Sequence, residues 1–326
     1  MKLDTSALLQ PARLVFPPPW VGHIPFAAWL VAQQRPDLLV ELGTHSGNSY
    51  CAFCQSIVEN DVSGKAFAVD TWQGDEHSFR YGEEILADLS AHHDPRYGHF
   101  STLLRTTFDD AAGQFADRSI DLLHIDGLHT YDAVRHDFDT WLPKLSARSV
   151  VLLHDTHVYE RNFGVHQLLA ELQAAYPTFS FPHSHGLGVV LVGDDRDSLL
   201  LQACTDPAFI AELQVIFARL GDSVVCRYEL DALKPELAQT SAKLDEHRVS
   251  VHEYSVLVKD LRTAQEKLQL QLQRQTTDLD AMESVLDAVR SELREAHAAA
   301  QKHLLKSTNS IRGAARLNRQ PGKKDH

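Results

Sequence analysis

Long hydrophobic runs are missing from this chain, and basic charge is in the minority. No stretch of 18 apolar residues occurs among the 326, so no segment reads as a membrane-spanning helix. The amino-terminal MKLDTSALLQ lacks the apolar core that a secretory leader needs. Lysine and arginine total 31 against 44 aspartates and glutamates, a formal charge of −13, which argues against a broad nucleic-acid-binding surface. Four cysteines make no disulfide framework and fit a reducing, cytoplasmic setting. Glycine is absent between Gly221 and Gly313, and Pro235 is the only proline in that interval.

Into that unpunctuated stretch falls a heptad pattern. Leu230, Leu237, Leu244, Val251, Val258, Gln265, Leu272, Leu279, Leu286, Leu293 and Ala300 recur every seven residues. The companion series three residues on is looser: Leu233, Thr240, His247, Tyr254, Leu261, Leu268, Gln275, Met282, Val289, Ala296 and His303. This spacing predicts a left-handed coiled coil over residues 230–305, and with it a homo-oligomer. A long amphipathic helix folded back on the preceding domain is the plainer alternative. Gln265, Gln275 and His247 are polar residues in the seam, which cost stability and can set register or strand number. Residues 306–326 carry six lysines and arginines and read as a disordered basic tail. Peripheral contact with anionic lipid at the inner membrane is the only membrane role such a tail suggests.

Residues 1–229 read differently. Apolar runs at Leu38–Leu42, Ala66–Val69, Ser101–Leu104, Leu122–Ile125, Val150–Leu153 and Val189–Val192 alternate with helical patterns such as Thr130–Leu142 and Val165–Ala175. Alternating strand and helix predict an α/β domain, a mostly parallel sheet with helices on both faces. Such sheets bind ligands at the carboxyl ends of their strands, where the polar motifs of this sequence fall.

The first motif is LLVELGTHSGNSY, an apolar strand running through a glycine turn into a helix. Gly43 permits a sharp turn, and Gly47 lets a ligand approach the helix start. Glu41, a carboxylate inside an apolar strand, needs a cationic or hydrogen-bonding partner. It would repel a pyrophosphate and welcome the ammonium of a sulfonium amino acid. The next strand ends FAVD, placing Asp70 where a carboxylate can take ribose hydroxyls. Asp109, in TTFDDAA after the third strand, falls at the adenine end.

Taken in order, ELGTHSGNSY, AVDTW, TTFDDAA, LLHIDGLHTYD and VVLLHDTH resemble the class I S-adenosylmethionine-dependent methyltransferases. The resemblance is to their bacterial branch of glycan and small-molecule O-methyltransferases, which includes macrocin O-methyltransferase-like and cephalosporin-hydroxylase-like enzymes. It covers roughly residues 20–195 and is specific in the ordered combination of motifs. It implies a Rossmann-like doubly wound sheet, with Glu41, Gly43, Thr44 and Gly47 around the methionine moiety of S-adenosylmethionine. Asp70 and Thr71 would lie at the ribose, and Asp109 and Asp126 would complete the cofactor site. His45 stands where a second glycine is frequent in the family.

The chemistry end lies in the last two motifs. Asp126 follows the fourth strand, His129 comes three residues later, and His154 and Asp155 end the fifth. Adjacent strands would present Asp126 and Asp155 side by side, and close carboxylates repel unless a cation or proton is shared. Mg²⁺ or another divalent metal would satisfy them, lower the pKa of an acceptor hydroxyl and orient it. His129 is then the natural general base. Asp126 and Asp155 match the acids of metal-dependent relatives. The remaining family ligand falls at His154 or Thr156, and neither is the usual residue. Helix capping is the plainer reading of both aspartates.

Other features carry less. Cys51 and Cys54 match C-x-x-C without a second zinc pair and read as core residues. His154, His157, His183 and His185 could make a zinc site but have no compact ligand spacing. WQGDEHSFRYGEEILADLSAHHDPRYGHF is long for a link between strands and reads as a lid. Within it, Trp72, Gly74 and Asp75 resemble a motif of the same branch. PPPWVGHIPF reads as a second wall of the pocket.

The sequence thus points to an O-methyltransferase acting on a sugar or glycan hydroxyl in surface-polysaccharide or glycolipid assembly, docking with glycosyltransferases. Methylation of a secondary metabolite is an alternative in the same reaction class. A non-catalytic coiled-coil scaffold and a histidine-metal hydrolase are alternatives in others.

Overall fold

The computed structural model describes residues 5–74 and 82–317. The chain divides into two units, residues 1–237 and 238–326. The first is built on seven strands: β1 (Leu38–Leu42), β2 (Lys65–Asp70), β3 (Ser101–Arg105), β4 (Ile120–Ile125), β5 (Leu145–His154), β6 (Thr178–Phe181) and β7 (Leu187–Leu191). Their order is β3-β2-β1-β4-β5-β7-β6. All neighbours are parallel except β7, which runs antiparallel to both β5 and β6. The helices are α1 (Ile24–Gln34), α2 (Asn48–Glu59), α3 (Glu83–Tyr97), α4 (Phe108–Ala112), α5 (Tyr131–Trp141), α6 (Val165–Leu172), α7 (Ser198–Thr205) and α8 (Pro207–Leu317). This is the mostly parallel α/β arrangement that the alternating pattern predicts, in the doubly wound, Rossmann-like form that the resemblance implies.

The central strands are continuous apolar runs because both faces of the sheet are covered. Successive side chains point to opposite faces, and the core follows that alternation. Leu39, Leu122 and Leu152 belong to one cluster, and their neighbours Val40, Leu123 and Leu153 belong to the other. On the first face, Phe26 of α1 packs on Phe181 of β6, with ring centroids 4.5 Å apart, and on Phe217 of α8 at 5.3 Å. The first turns of α8 are therefore a core element, with Phe209, Leu213, Phe217 and Val224 buried at helical spacing. Past them the helix changes character: Leu230 is 60% exposed and Leu237 is 72% exposed.

Two details depart from the sequence reading. Strand β6 is a short edge strand between Pro177 and Pro182, with Phe179 and Phe181 alternating inward. It is not among the strands read from the sequence; prolines bordering an edge strand cost no ladder bond. Much of the expected lid is α3, whose Leu89 and Tyr97 are buried. Asp75, with the rest of 75–81, lies outside the described residues.

The second unit is the continuation of α8. Its apolar heptad residues are open to solvent in the single chain.

Candidate active site

The carboxyl ends of β1, β4 and β5 surround a cavity of about 490 Å³. The turn after β1 forms one side. Gly43 has φ 88°, and a Cβ there would lie 2.1 Å from the carbonyl oxygen of Asp126, so only glycine lets the β1 and β4 loops meet. Gly47, at φ 81°, caps α2 against Leu89 and does not line the cavity; Gly43 and Thr44 do. The Thr44 hydroxyl is buried and has no hydrogen-bond partner among the described residues.

Asp70 ties this turn to the one after β2. Its Oδ2 accepts the His45 backbone N–H at 2.8 Å, and its Oδ1 accepts that of Trp72 at 2.7 Å. Burial pushes its carboxyl pKa up, and the backbone donors only partly offset the rise. Each oxygen retains acceptor capacity beyond its one backbone bond. Thr71 is partly buried, and its carbonyl accepts from Arg105. Asp109 is exposed on α4 and paired with His136 at 2.8 Å, outside the lining of the cavity.

Glu41 is fully buried and does not line the cavity. The β1–β4 register sets it beside His124, whose Nδ1 lies 2.9 Å from Glu41 Oε2. Trp20 donates its indole N–H to His124 Nε2 at 3.1 Å. That nitrogen is therefore an acceptor, so Nδ1 carries the proton donated to Glu41. The other carboxylate oxygen, Oε1, is buried without a partner among the described residues. Sequence reasoning missed His124, whose signal was a second polar residue inside a second apolar strand.

At the chemistry end the structure brings the candidate residues together. His129 Nε2 lies 3.2 Å from Asp126 Oδ1 and 2.9 Å from Asp155 Oδ2. His154 Nδ1 lies 3.1 Å and 3.5 Å from the same two oxygens. His185 Nδ1 lies 3.2 Å from Asp155 Oδ1. Burial alone would push the Asp126 and Asp155 carboxyls up, but the facing imidazoles outweigh it and hold both well below the usual range. Burial likewise opposes charge on His129, and the two carboxylates overcome it, raising its pKa to about 9. His154 is raised for the same reason. The flat face of His129 stacks on Phe163, with centroids 4.6 Å apart.

Among the described residues, the group of potential metal ligands that closes within 4.8 Å is Asp126, His154 and Asp155. His157, His183 and His185 do not join it. His154 fits a metal-ligand role in one further respect. Its Nε2 faces the Ser184 carbonyl oxygen at 3.1 Å and must donate to it. A neutral His154 then turns the Nδ1 lone pair toward both carboxylates, as second-shell bonds do for metal-bound histidines. The residues present therefore fit a divalent cation, and without one they fit a shared proton.

The second wall comes from the amino-terminal segment. Asn48 binds it with three bonds: its amide accepts the Val15 N–H at 2.9 Å and donates to the carbonyls of Val15 at 2.7 Å and Pro17 at 2.9 Å. Phe16, Pro17, Pro19 and Trp20 consequently face the cavity opposite Phe163. Cys51 and Cys54 are buried in the core, where burial pushes the Cys51 thiol up to about 12 and that of Cys54 upward as well. They are inert thiols.

With this geometry in place, the chain can be set beside known proteins. Residues 40–156 match the family model described as a methyltransferase domain, the span from β1 to just past β5. The uncharacterized protein y4gI of Sinorhizobium fredii is 49% identical over 209 residues, which make up 63% of this chain and 23% of that protein. The chain thus spans less than a quarter of that relative's length. Among solved structures, the SAH-bound methyltransferase PaMTH1 of Podospora anserina shares 15% identity over 52% of this chain and 77% of its own, with a TM-score of 0.39. A methyltransferase from Geobacter sulfurreducens shares 14% identity over 52% and 78%, with a TM-score of 0.40. Among the described residues, no helix is long and apolar enough to cross a membrane.

Proposed function

We propose that this chain is an S-adenosylmethionine-dependent O-methyltransferase that methylates a sugar hydroxyl in bacterial surface-polysaccharide or glycolipid assembly. The observation that carries the reading is the convergence of Asp126, Asp155, His154 and His129 in the same cavity as the Gly43–Thr44 turn. The family-model match supports methyl transfer.

In this reading Gly43 and Thr44 receive the methionine end of the donor, with Asp70 at its ribose. Bound S-adenosylmethionine supplies an electrophilic methyl carbon on a sulfonium. Asp126, Asp155 and His154 would hold a divalent cation, which lowers the pKa of a bound hydroxyl. His129 Nε2 would take the proton of an acceptor hydroxyl held beside that methyl carbon. His129 can take that proton at neutral pH only when the two carboxylates beside it are engaged by other charge, so base strength and ligand binding are linked. Phe16 and Trp20 line the cavity with aromatic surface suited to the face of a sugar ring. The same surfaces favour a second reading, a flat secondary-metabolite acceptor. The proposal includes a homo-oligomer formed through residues 230–305 and association with glycosyltransferases.

Titration calorimetry of S-adenosylhomocysteine, with and without Mg²⁺ and with Asp70→Ala as control, tests the donor site. Micromolar binding lost in the control supports the reading, and sugar and phenolic acceptors can then be compared by methyl transfer. Absence of binding in both conditions overturns it.

A further inference from the structure

The second unit carries an apolar stripe whose described side chains are exposed. Leu244, Val251, Leu261, Leu272, Leu279 and Leu293 are each at least 60% exposed. Side chains of this size repeated every seven residues along one helix are stable in water only against another helix. The identity and direction of that helix can be argued from the stripe.

The two heptad series are unequal. The first is mostly leucine toward the carboxyl end, with Leu272, Leu279, Leu286 and Leu293. The second is weak toward the amino end, with Thr240, His247 and Tyr254. In a parallel pair each series meets itself, so the weak positions would stack on one another in one half of the coil. In an antiparallel pair the two series meet each other, so His247 and Tyr254 can face leucines, while Thr240 meets the small Ala300.

One antiparallel register also resolves the seam amides. Placing Gln265 opposite the partner's Gln275 pairs the two glutamines across the seam, where each can satisfy the other. The same register sets His247 opposite the partner's Leu293, Tyr254 opposite the partner's Leu286, and Leu261 opposite the partner's Leu279. Its twofold axis passes near Leu270.

Flanking charge agrees. In antiparallel coils like-lettered edges meet. This register brings Lys243 toward the partner's Glu292 and Arg262 toward the partner's Glu283, with no like-charged pair of lysine, arginine, aspartate or glutamate on either edge. The parallel alternative sets Lys243 against the partner's Arg248 and Asp278 against the partner's Glu283, with Glu229 against the partner's Lys234 as its favourable pair. Exposed ion pairs weigh little singly, but here they point the same way as the seam.

We propose that the helix beyond Leu237 forms an antiparallel two-stranded coiled coil with a second copy of this chain, registered by Gln265 facing the partner's Gln275. The inference is independent of methyl transfer. Full-length chain with Cys204 and Cys226 replaced by serine is made in two differently tagged forms, one carrying Leu261→Cys and one carrying Leu279→Cys. These are mixed under denaturant, refolded and oxidised. The expected result is a mass by light scattering of twice the 36.5 kDa chain, and a disulfide dimer containing both tags, with little cross-linking of either form alone. Disulfides formed within each form alone, and none between them, would show a parallel coil and overturn the proposal. A monomer or a trimer by mass would overturn it as well. Gln265→Leu should reduce the mixed cross-link at least threefold by freeing the register, without lowering the mass; an unchanged yield would remove the glutamines from their assigned role.

Discussion

Glu41 and His124, on adjacent parallel strands, share a hydrogen bond of 2.9 Å, and neither side chain is exposed. Trp20 completes the chain from the cavity wall. Removing one member strands a buried polar group, at a cost of about 1–3 kcal/mol. Trp20→Phe keeps a ring on the wall but leaves His124 Nε2 without its donor. We expect a loss of that size in urea unfolding, with the slope unchanged. A loss within error would mean that water replaces the indole N–H.

Gly43→Ala tests the close approach of the two loops. The added methyl carbon would meet the Asp126 carbonyl at 2.1 Å in a backbone conformation with φ 88°. Backbone on both sides cannot yield easily, so the variant should unfold several degrees lower than the parent. Divalent-ion affinity should fall with it, because Asp126 moves. A variant with the parent's melting temperature and ion affinity would contradict the geometry.

The carboxylates at the cavity floor set the charge of His129. With its pKa at about 9, the folded state holds a proton that the unfolded state releases near 6.5. This contribution to stability is fully present below pH 6.5 and is lost as pH rises through 9. Asp155→Asn removes one of its two partners, and Mg²⁺ competes for both. Either change should move the His129 resonance titration downward by one unit or more in NMR. An unmoved midpoint would separate His129 from these acids.

Asp137 on α5 behaves in the opposite way. Burial raises its carboxyl pKa to about 7. Between pH 4 and 7 the unfolded chain loses this proton while the folded chain keeps it, so stability falls with rising pH across that window and levels off above it. Asp137→Asn should flatten this part of the pH–stability curve and stabilise the protein above pH 7. A curve parallel to the parent's would show that the carboxyl is already ionised.

If the chain methylates as proposed, His129→Ala should lower that rate by about 10²–10⁴-fold while leaving S-adenosylhomocysteine binding within a few-fold of the parent. Equal losses in rate and donor affinity would make it a binding residue.

The sheet was legible because its central strands are apolar on both faces, and such runs announce themselves in any register. The site was legible where its residues sit beside strand ends, as Asp126, His154 and Asp155 do. Glu41 shows the limit. Its need for a partner was readable, but the partner stands 83 residues away in sequence, and only the β1–β4 register brings it alongside. The β6 hairpin was hidden by its prolines, and with it the Ser184 carbonyl that orients His154.

That carbonyl has a further consequence. It accepts the Nε2 hydrogen of His154 and also that of His23, each at 3.1 Å. His23 follows directly on the cavity's amino-terminal wall, and Gly22 beside it leaves no room for a side chain against Ser184. One oxygen atom therefore acts as a common anchor for the wall that would hold an acceptor and for the imidazole that would help hold a cation. On the proposed reading, a guest that displaced the wall would also disturb the aim of His154, so acceptor fit and cation binding would share a single mechanical joint.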